Sequence, residues 1–181
     1  MTLRKIALMG NPVLSRRAEE VASPGDPEIR QLVTDMIETM QDARGIGIAA
    51  PQVYASCRII VVVDLEDGIR PSGRPPLVLI NPELEPVGSE SCRAIEGCLS
   101  IPGIRGIVSR HVNVRYKGTG PDGGPVEGEA SGLFARILQH EVDHLDGILF
   151  PERLEHPADM AFDSERTHLE GRMRNGAANA A

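Results

Sequence analysis

The stretch Gln139-His140-Glu141-Val142-Asp143-His144 decides how this chain is read. On a helix, residues four apart lie on one face, so His140 and His144 can bind one metal ion. Glu141, beside the first histidine, can reach a water at that metal, as metal-assisted hydrolysis requires. Reading outward, Leu133, Arg136 and Ile137 fall on the same face as the two histidines. Ser131 or Gly132 opens this helix and Gly147 closes it. A helix with apolar residues and ligands on one side belongs in a core. Two histidines at this spacing also arise without a metal, so the rest of the chain must decide.

A catalytic divalent ion usually takes three protein ligands and keeps a fourth position for water. In the pattern HExxHxxGxxH the third histidine would fall at position 150, but Phe150 cannot coordinate. Glu165 lies 21 positions after His144, which suits a downstream glutamate ligand, although its Asp163-Ser164-Glu165-Arg166 setting reads as a solvated face. Upstream, Cys98 in Glu96-Gly97-Cys98-Leu99-Ser100 would make a mixed sulfur and nitrogen site suited to Zn(II) or Fe(II). Cys57 borders the apolar run Ile59 to Val63 and reads as core, whereas Cys92 has no distinctive neighbours. Glu165 and Cys98 both stand on these grounds.

With 181 residues, one domain with a single core is expected over residues 1–174, followed by a disordered tail at 175–181. A net charge of −7 without a basic face excludes general nucleic-acid affinity. Three cysteines form no disulfide framework, and the apolar run Ile6 to Met9 is too short for a signal-peptide core. No segment has the eighteen or so apolar residues of a membrane helix, so the expectation is a soluble, cytoplasmic protein.

Asp26-Pro27 starts a helix whose stripe of Ile29, Leu32, Val33, Met36, Ile37 and Met40 is core packing, with Gly45 as its end. Strands are predicted at Arg58 to Asp64, Leu77 to Asn81, Gly106 to Val108 and His111 to Tyr116. His111 faces solvent in that alternation. Asp67 to Pro76 reads as a loop, Gly118 to Gly124 as a hairpin turn, and 158 to 174 as a last helix with Met160, Leu169 and Met173 inward. Strands mixed with two or three helices, without βαβ alternation, give an α+β fold.

Three segments together carry more than any one. Gly45-Ile46-Gly47-Ile48-Ala49-Ala50-Pro51-Gln52, Glu96-Gly97-Cys98-Leu99-Ser100 and Gln139-His140-Glu141-Val142-Asp143-His144 resemble the three motifs of the peptide deformylase family, in that family's order. The resemblance runs from Asn11-Pro12-Val13-Leu14 to about Phe150-Pro151. It implies mostly antiparallel sheets wrapped around the central HExxH helix. It also implies hydrolysis of the N-formyl group from the formyl-methionine of newly synthesised bacterial polypeptides, releasing formate.

In that family the positions of Cys98, His140 and His144 hold one divalent ion, with Fe(II) expected and Zn(II), Ni(II) or Co(II) able to substitute. Glu141 is then general base and acid, while Gln52 and the Leu99 backbone N–H serve the oxyanion. Gly45, Gly47, Glu96 and Gly97 line the path of the peptide, which pairs like an added strand. Ile46, Leu133 and Ile137 form the methionine slot, and Arg105 is a further substrate contact. Arg136 departs from an aliphatic residue in some relatives and is expected at the pocket rim. A transient ribosome contact through the C-terminal segment is the remaining expected partner. The rivals are an endopeptidase using Glu165 and an inactive peptide or metal binder. The latter would be expected to lose Glu141, Cys98 or Gln52, and all three are present.

Overall fold

The computed structural model describes residues 2–66 and 70–178. Helix α1 (Pro27–Asp42) starts with Pro27 at its first position, where a missing N–H costs nothing, and buries Leu32, Val33, Met36 and Met40. Its end corrects the sequence expectation. The left-handed residue is Arg44, at φ 54°, and the Gly45 N–H returns to the Met40 carbonyl at 2.8 Å. Gly45 is needed for space instead, since a Cβ there would meet Leu99 Cδ1 at 2.9 Å.

The strands follow in chain order: β1 (Gly47–Ala49), β2 (Ile59–Val62), β3 (Leu65–Glu66), β4 (Arg70–Pro71), β5 (Leu77–Pro86), β6 (Ser91–Cys98), β7 (Ile101–His111), β8 (Asn113–Thr119) and β9 (Pro125–Ser131). Helix α2 (Gly132–Leu145), strand β10 (Met160–Phe162) and helix α3 (Arg166–Ala178) complete the order. All the pairings are antiparallel, in sheets β1-β2-β5-β8-β9, β10-β7-β6 and β3-β4.

Strand β2 explains why its segment reads as a continuous apolar run. Ile59 and Val61 join the cluster around α1, while Ile60 and Val62 join the cluster around α2. Both faces are covered, so no polar alternation survives. Each such side chain contributes about 1.5–3 kcal/mol of burial. A third cluster of Leu14, Ile101, Val108, Leu149 and Phe150 packs the β6–β7 hairpin against the turn after α2. Helix α2 therefore lies between the two larger sheets. The antiparallel α+β fold wrapped on the HExxH helix is what the chain adopts.

Several boundaries move. Strand β5 continues beyond Asn81 through a register shift, because Asn81 adopts φ 53° and its side chain bonds both the N–H and the carbonyl of Val21. The short strand at Gly106 to Val108 is part of the eleven-residue β7, and β1, β6, β9 and β10 were not anticipated. The expected loop from Asp67 falls partly on 67–69, outside the described residues; β3 and β4 pair across it. The last helix begins at Arg166, which leaves Met160 exposed on β10 and Leu169 alone fully buried. It runs on to Ala178, past the start of the expected tail, and 179–181 lie outside the described residues. Among the described residues, no helix is long and apolar enough to cross a membrane.

Candidate metal centre and active site

Strand β6 ends at Cys98 and helix α2 carries both histidines, so two elements converge on one point. Atoms of Cys98, His140 and His144 all lie within 4.8 Å of one another, the only such grouping among the described residues. Cys98 Sγ is 3.2 Å from His144 Nε2. Donors placed tetrahedrally around a zinc-sized ion sit about 3.4–3.6 Å apart, so the three residues fit such an ion. Glu165, the rival ligand, is exposed and paired with His168 at 3.3 Å. Phe150, rejected as a ligand, stacks on His140 with ring centroids 6.5 Å apart.

Electrostatics favour a cation at this point. Burial disfavours a charged His140, yet Cys98, Glu96 and Glu141 outweigh it and raise its pKa to about 10. His144 is held well below its ordinary pKa by burial and by the neighbouring charges of His140 and Arg110, and is thus a neutral imidazole. Its Nδ1 is buried without a hydrogen-bond partner. Burial pushes Glu141 up to about 7, near the working range of a general base. One of its oxygens is also buried and unpartnered.

Gln52 sits in the turn after β1. Its Oε1 accepts from the Ala49 N–H at 2.8 Å, which aims Nε2 at Ser100 Oγ (3.1 Å) and Cys98 Sγ (3.5 Å). The backbone N–H of Ser100 also points to Cys98 Sγ, at 3.4 Å. The amide donor is thereby fixed beside the Cys98 sulfur.

These groups open into a cleft of about 490 Å³. Its lining contains every expected substrate-side residue: Gly45, Ile46, Gly47, Glu96, Gly97, Leu99, Arg105, Leu133 and Ile137. Ile46 and Leu133 are partly exposed and Ile137 is buried, as a slot with an open mouth would have them. His144 lies behind this lining, within α2.

Three roles differ from expectation. Glu96 does not have a carboxylate free for substrate. Its oxygens accept from Arg110 Nε and Nη2 at 3.0 Å each and from Arg136 at 2.7 Å, and one lies 2.9 Å from His140 Nδ1. Glu96 instead orients His140, a candidate ligand. Arg136 is buried rather than at the rim, because its guanidinium also reaches the carbonyls of Val108 and Cys92. The glycines make room for the protein's own side chains. A Cβ on Gly47 would lie 2.9 Å from Glu141 Cδ, and one on Gly97 would lie 2.6 Å from Arg105 Cζ.

Sequence reading missed Arg110, Asp143, Arg153 and Ser100. Arg110 links Glu96 to Asp143, which also accepts from Arg153 Nε and Nη2 at 3.1 and 2.7 Å. The available signal was Asp143, an acidic residue one turn from His140 on a helix expected to be buried.

Comparison with known proteins agrees with this geometry. The family model described as Polypeptide deformylase matches residues 3–159. Peptide deformylase 1 of Xanthomonas campestris pv. campestris is 44% identical over 160 residues, spanning 84% of this chain and 91% of that protein. The peptide deformylase of Natranaerobius thermophilus is 44% identical over 168 residues, spanning 93% of this chain and all of its own. The Met-Ala-Ser-bound class I type b peptide deformylase of Acinetobacter baumannii superimposes with a TM-score of 0.77 at 40% identity, covering 84% of this chain and 100% of that one.

Proposed function

The chain belongs to the peptide deformylase family, and from that premise we infer which residues carry its reaction. That reaction is metal-dependent removal of the N-formyl group from newly synthesised polypeptides, giving formate and a free amine. The reading takes residues 1–174 as one catalytic domain, with Cys98, His140 and His144 as ligands. A divalent ion held there would supply Lewis-acid chemistry, lowering the pKa of water and polarising a carbonyl. The donor set suits Fe(II), Zn(II), Ni(II) and Co(II) alike. We assign Fe(II) on the family likeness.

Glu141 accepts the proton of the attacking water and returns it to the departing amine, so the proton balance closes on one carboxylate. Gln52 Nε2 and the Leu99 N–H donate to the oxygen on which charge develops. Ala49 holds the Gln52 amide oxygen, so Nε2 stays beside Cys98, and the N–H now directed at the sulfur would turn to the oxyanion. Glu96 keeps the His140 ring oriented. Ile46, Leu133 and Ile137 receive the methionine side chain, and the peptide beyond it leaves past Gly45, Gly97 and Arg105. A relative holding Met-Ala-Ser supports a peptide in this cleft.

The reading places the enzyme in the bacterial cytoplasm, where formylated chains emerge. Any ribosome contact through α3 is transient, since Arg166 and Arg172 are already held by Glu170 and Asp159. The observation that carries the proposal is the convergence of three ligand atoms beneath a cleft, beside a buried carboxylate with an unpartnered oxygen. The test is formate release from a formyl-Met peptide by anaerobically purified protein, with metal analysis of the same sample. Cys98→Ser should abolish both activity and metal binding; a Cys98→Ser enzyme with full metal content would remove Cys98 from the ligand set.

A further inference from the structure

Arg105 is held from both sides by strand register. On β7 it faces Gly97 of β6 on one edge and Ala161 of β10 on the other. Two residues beyond Ala161 the chain turns, and Asp163 accepts from Arg105 Nε at 2.9 Å and Nη2 at 3.3 Å. The third guanidinium nitrogen, Nη1, is turned over Gly97, where a Cβ would collide with it. Arg105 thus presents one nitrogen to the cleft and gives the other two to Asp163. The exposed Arg44 also lines the cleft, while the remaining arginine of the lining, Arg136, is buried against Glu96.

We propose that Asp163 cancels the charge of Arg105, leaving Arg44 as the other cation of the cleft mouth, so that Arg105 adds little discrimination among peptides of different charge beyond the methionine. This deepens the reading above and rests on it, because it requires the peptide to leave past Arg105. Without Asp163 the mouth gains a second uncompensated guanidinium beside that of Arg44, which favours acidic peptides and disfavours basic ones. An enzyme acting on newly made chains meets every kind of downstream residue, so a neutralised Arg105 suits its task. Asp163 belongs to the C-terminal segment, outside the three motifs, and acts through Arg105.

The experiment compares kcat/KM for three amidated peptides, formyl-Met-Ala-Ser, formyl-Met-Ala-Asp and formyl-Met-Ala-Lys, on metal-loaded full-length protein. The Asp-to-Lys ratio on one preparation does not depend on how much enzyme is active or folded. In the wild type this ratio should lie within about threefold of one, and Asp163→Asn should raise it about five- to tenfold at low salt. The increase should shrink by at least half in ~0.5 M salt, where exposed charges are screened. Adding Arg105→Gln to Asp163→Asn should return the ratio to the wild-type value, which a merely structural role for Asp163 would not do. An unchanged ratio in Asp163→Asn, or a raised ratio that survives removal of Arg105, overturns the proposal. Wild-type protein that releases no formate from the Ser peptide would overturn the family reading itself, and this inference with it.

Discussion

Glu141 lies with its carboxylate against Gly47 and Ile137, and Gly47 is fixed opposite Val62 by the β1–β2 ladder. In Gly47→Ala the side chain therefore has to yield rather than the backbone. The expected result is a fall in kcat of at least ~10-fold with metal stoichiometry unchanged, because a displaced base loses its alignment. A kcat within twofold of wild type would show that Glu141 tolerates displacement. Glu141→Ala goes further, with turnover down at least ~100-fold on a fully metal-loaded protein. Metal analysis and formate release on one preparation check both, and a Glu141→Ala enzyme that keeps most of its rate removes this residue from the mechanism. That Cys98, His140, His144 and Glu141 come together could be read from the sequence, because few residue types can do such chemistry and the motifs spell them out. The role of Glu96 could not. Its partners lie 14, 40 and 44 positions away, and only the fold shows that they occupy both of its oxygens.

At the scale of elements, the β6–β7 hairpin and α2 are joined by buried charge more than by apolar contact at the site. Arg110 ends the run: it sits between Glu96 on β6 and Asp143 on α2, and all three side chains are at least nine-tenths buried. Removing one member of such a set strands the others without compensation. Arg110→Leu should therefore cost about 3–5 kcal/mol of stability, even though leucine suits a core. Denaturant melts of the two metal-loaded proteins measure it. A loss under 1 kcal/mol would mean that Arg136 and Arg153 suffice for the two carboxylates. The hairpin itself was poorly legible. Ser91 to Cys98 lacks a clean alternation because Arg93 turns to Asp159 while Glu96 turns inward to Arg110 and His140. By contrast, α1 and β2 were readable from apolar spacing alone, since α1 buries a single stripe against one cluster and β2 is covered on both faces.

For the whole molecule, the ion would join segments far apart in the chain, Cys98 at the end of β6 and the histidines of α2. Folding does not depend on that link alone. Three apolar clusters each have their own fully buried side chains, the third of them packing on Cys98 and, through Phe150, on His140, and Glu96 tethers His140 independently of any metal. Metal removal should thus lower stability without unfolding the chain at 25 °C. An ion that binds only the folded state adds about 4 kcal/mol when present at 1,000 times its dissociation constant. For a chain of 181 residues that corresponds to a melting temperature roughly 8–16 °C lower after chelation. Thermal melts of loaded, chelated and reloaded protein test this, with Cys98→Ser as the control that chelation should no longer move. Chelated protein that is already unfolded at 25 °C would show that the clusters are insufficient by themselves. An unchanged melting temperature despite lost metal would show that the ion does not favour the folded state, and the convergence of these three residues would then need another cause.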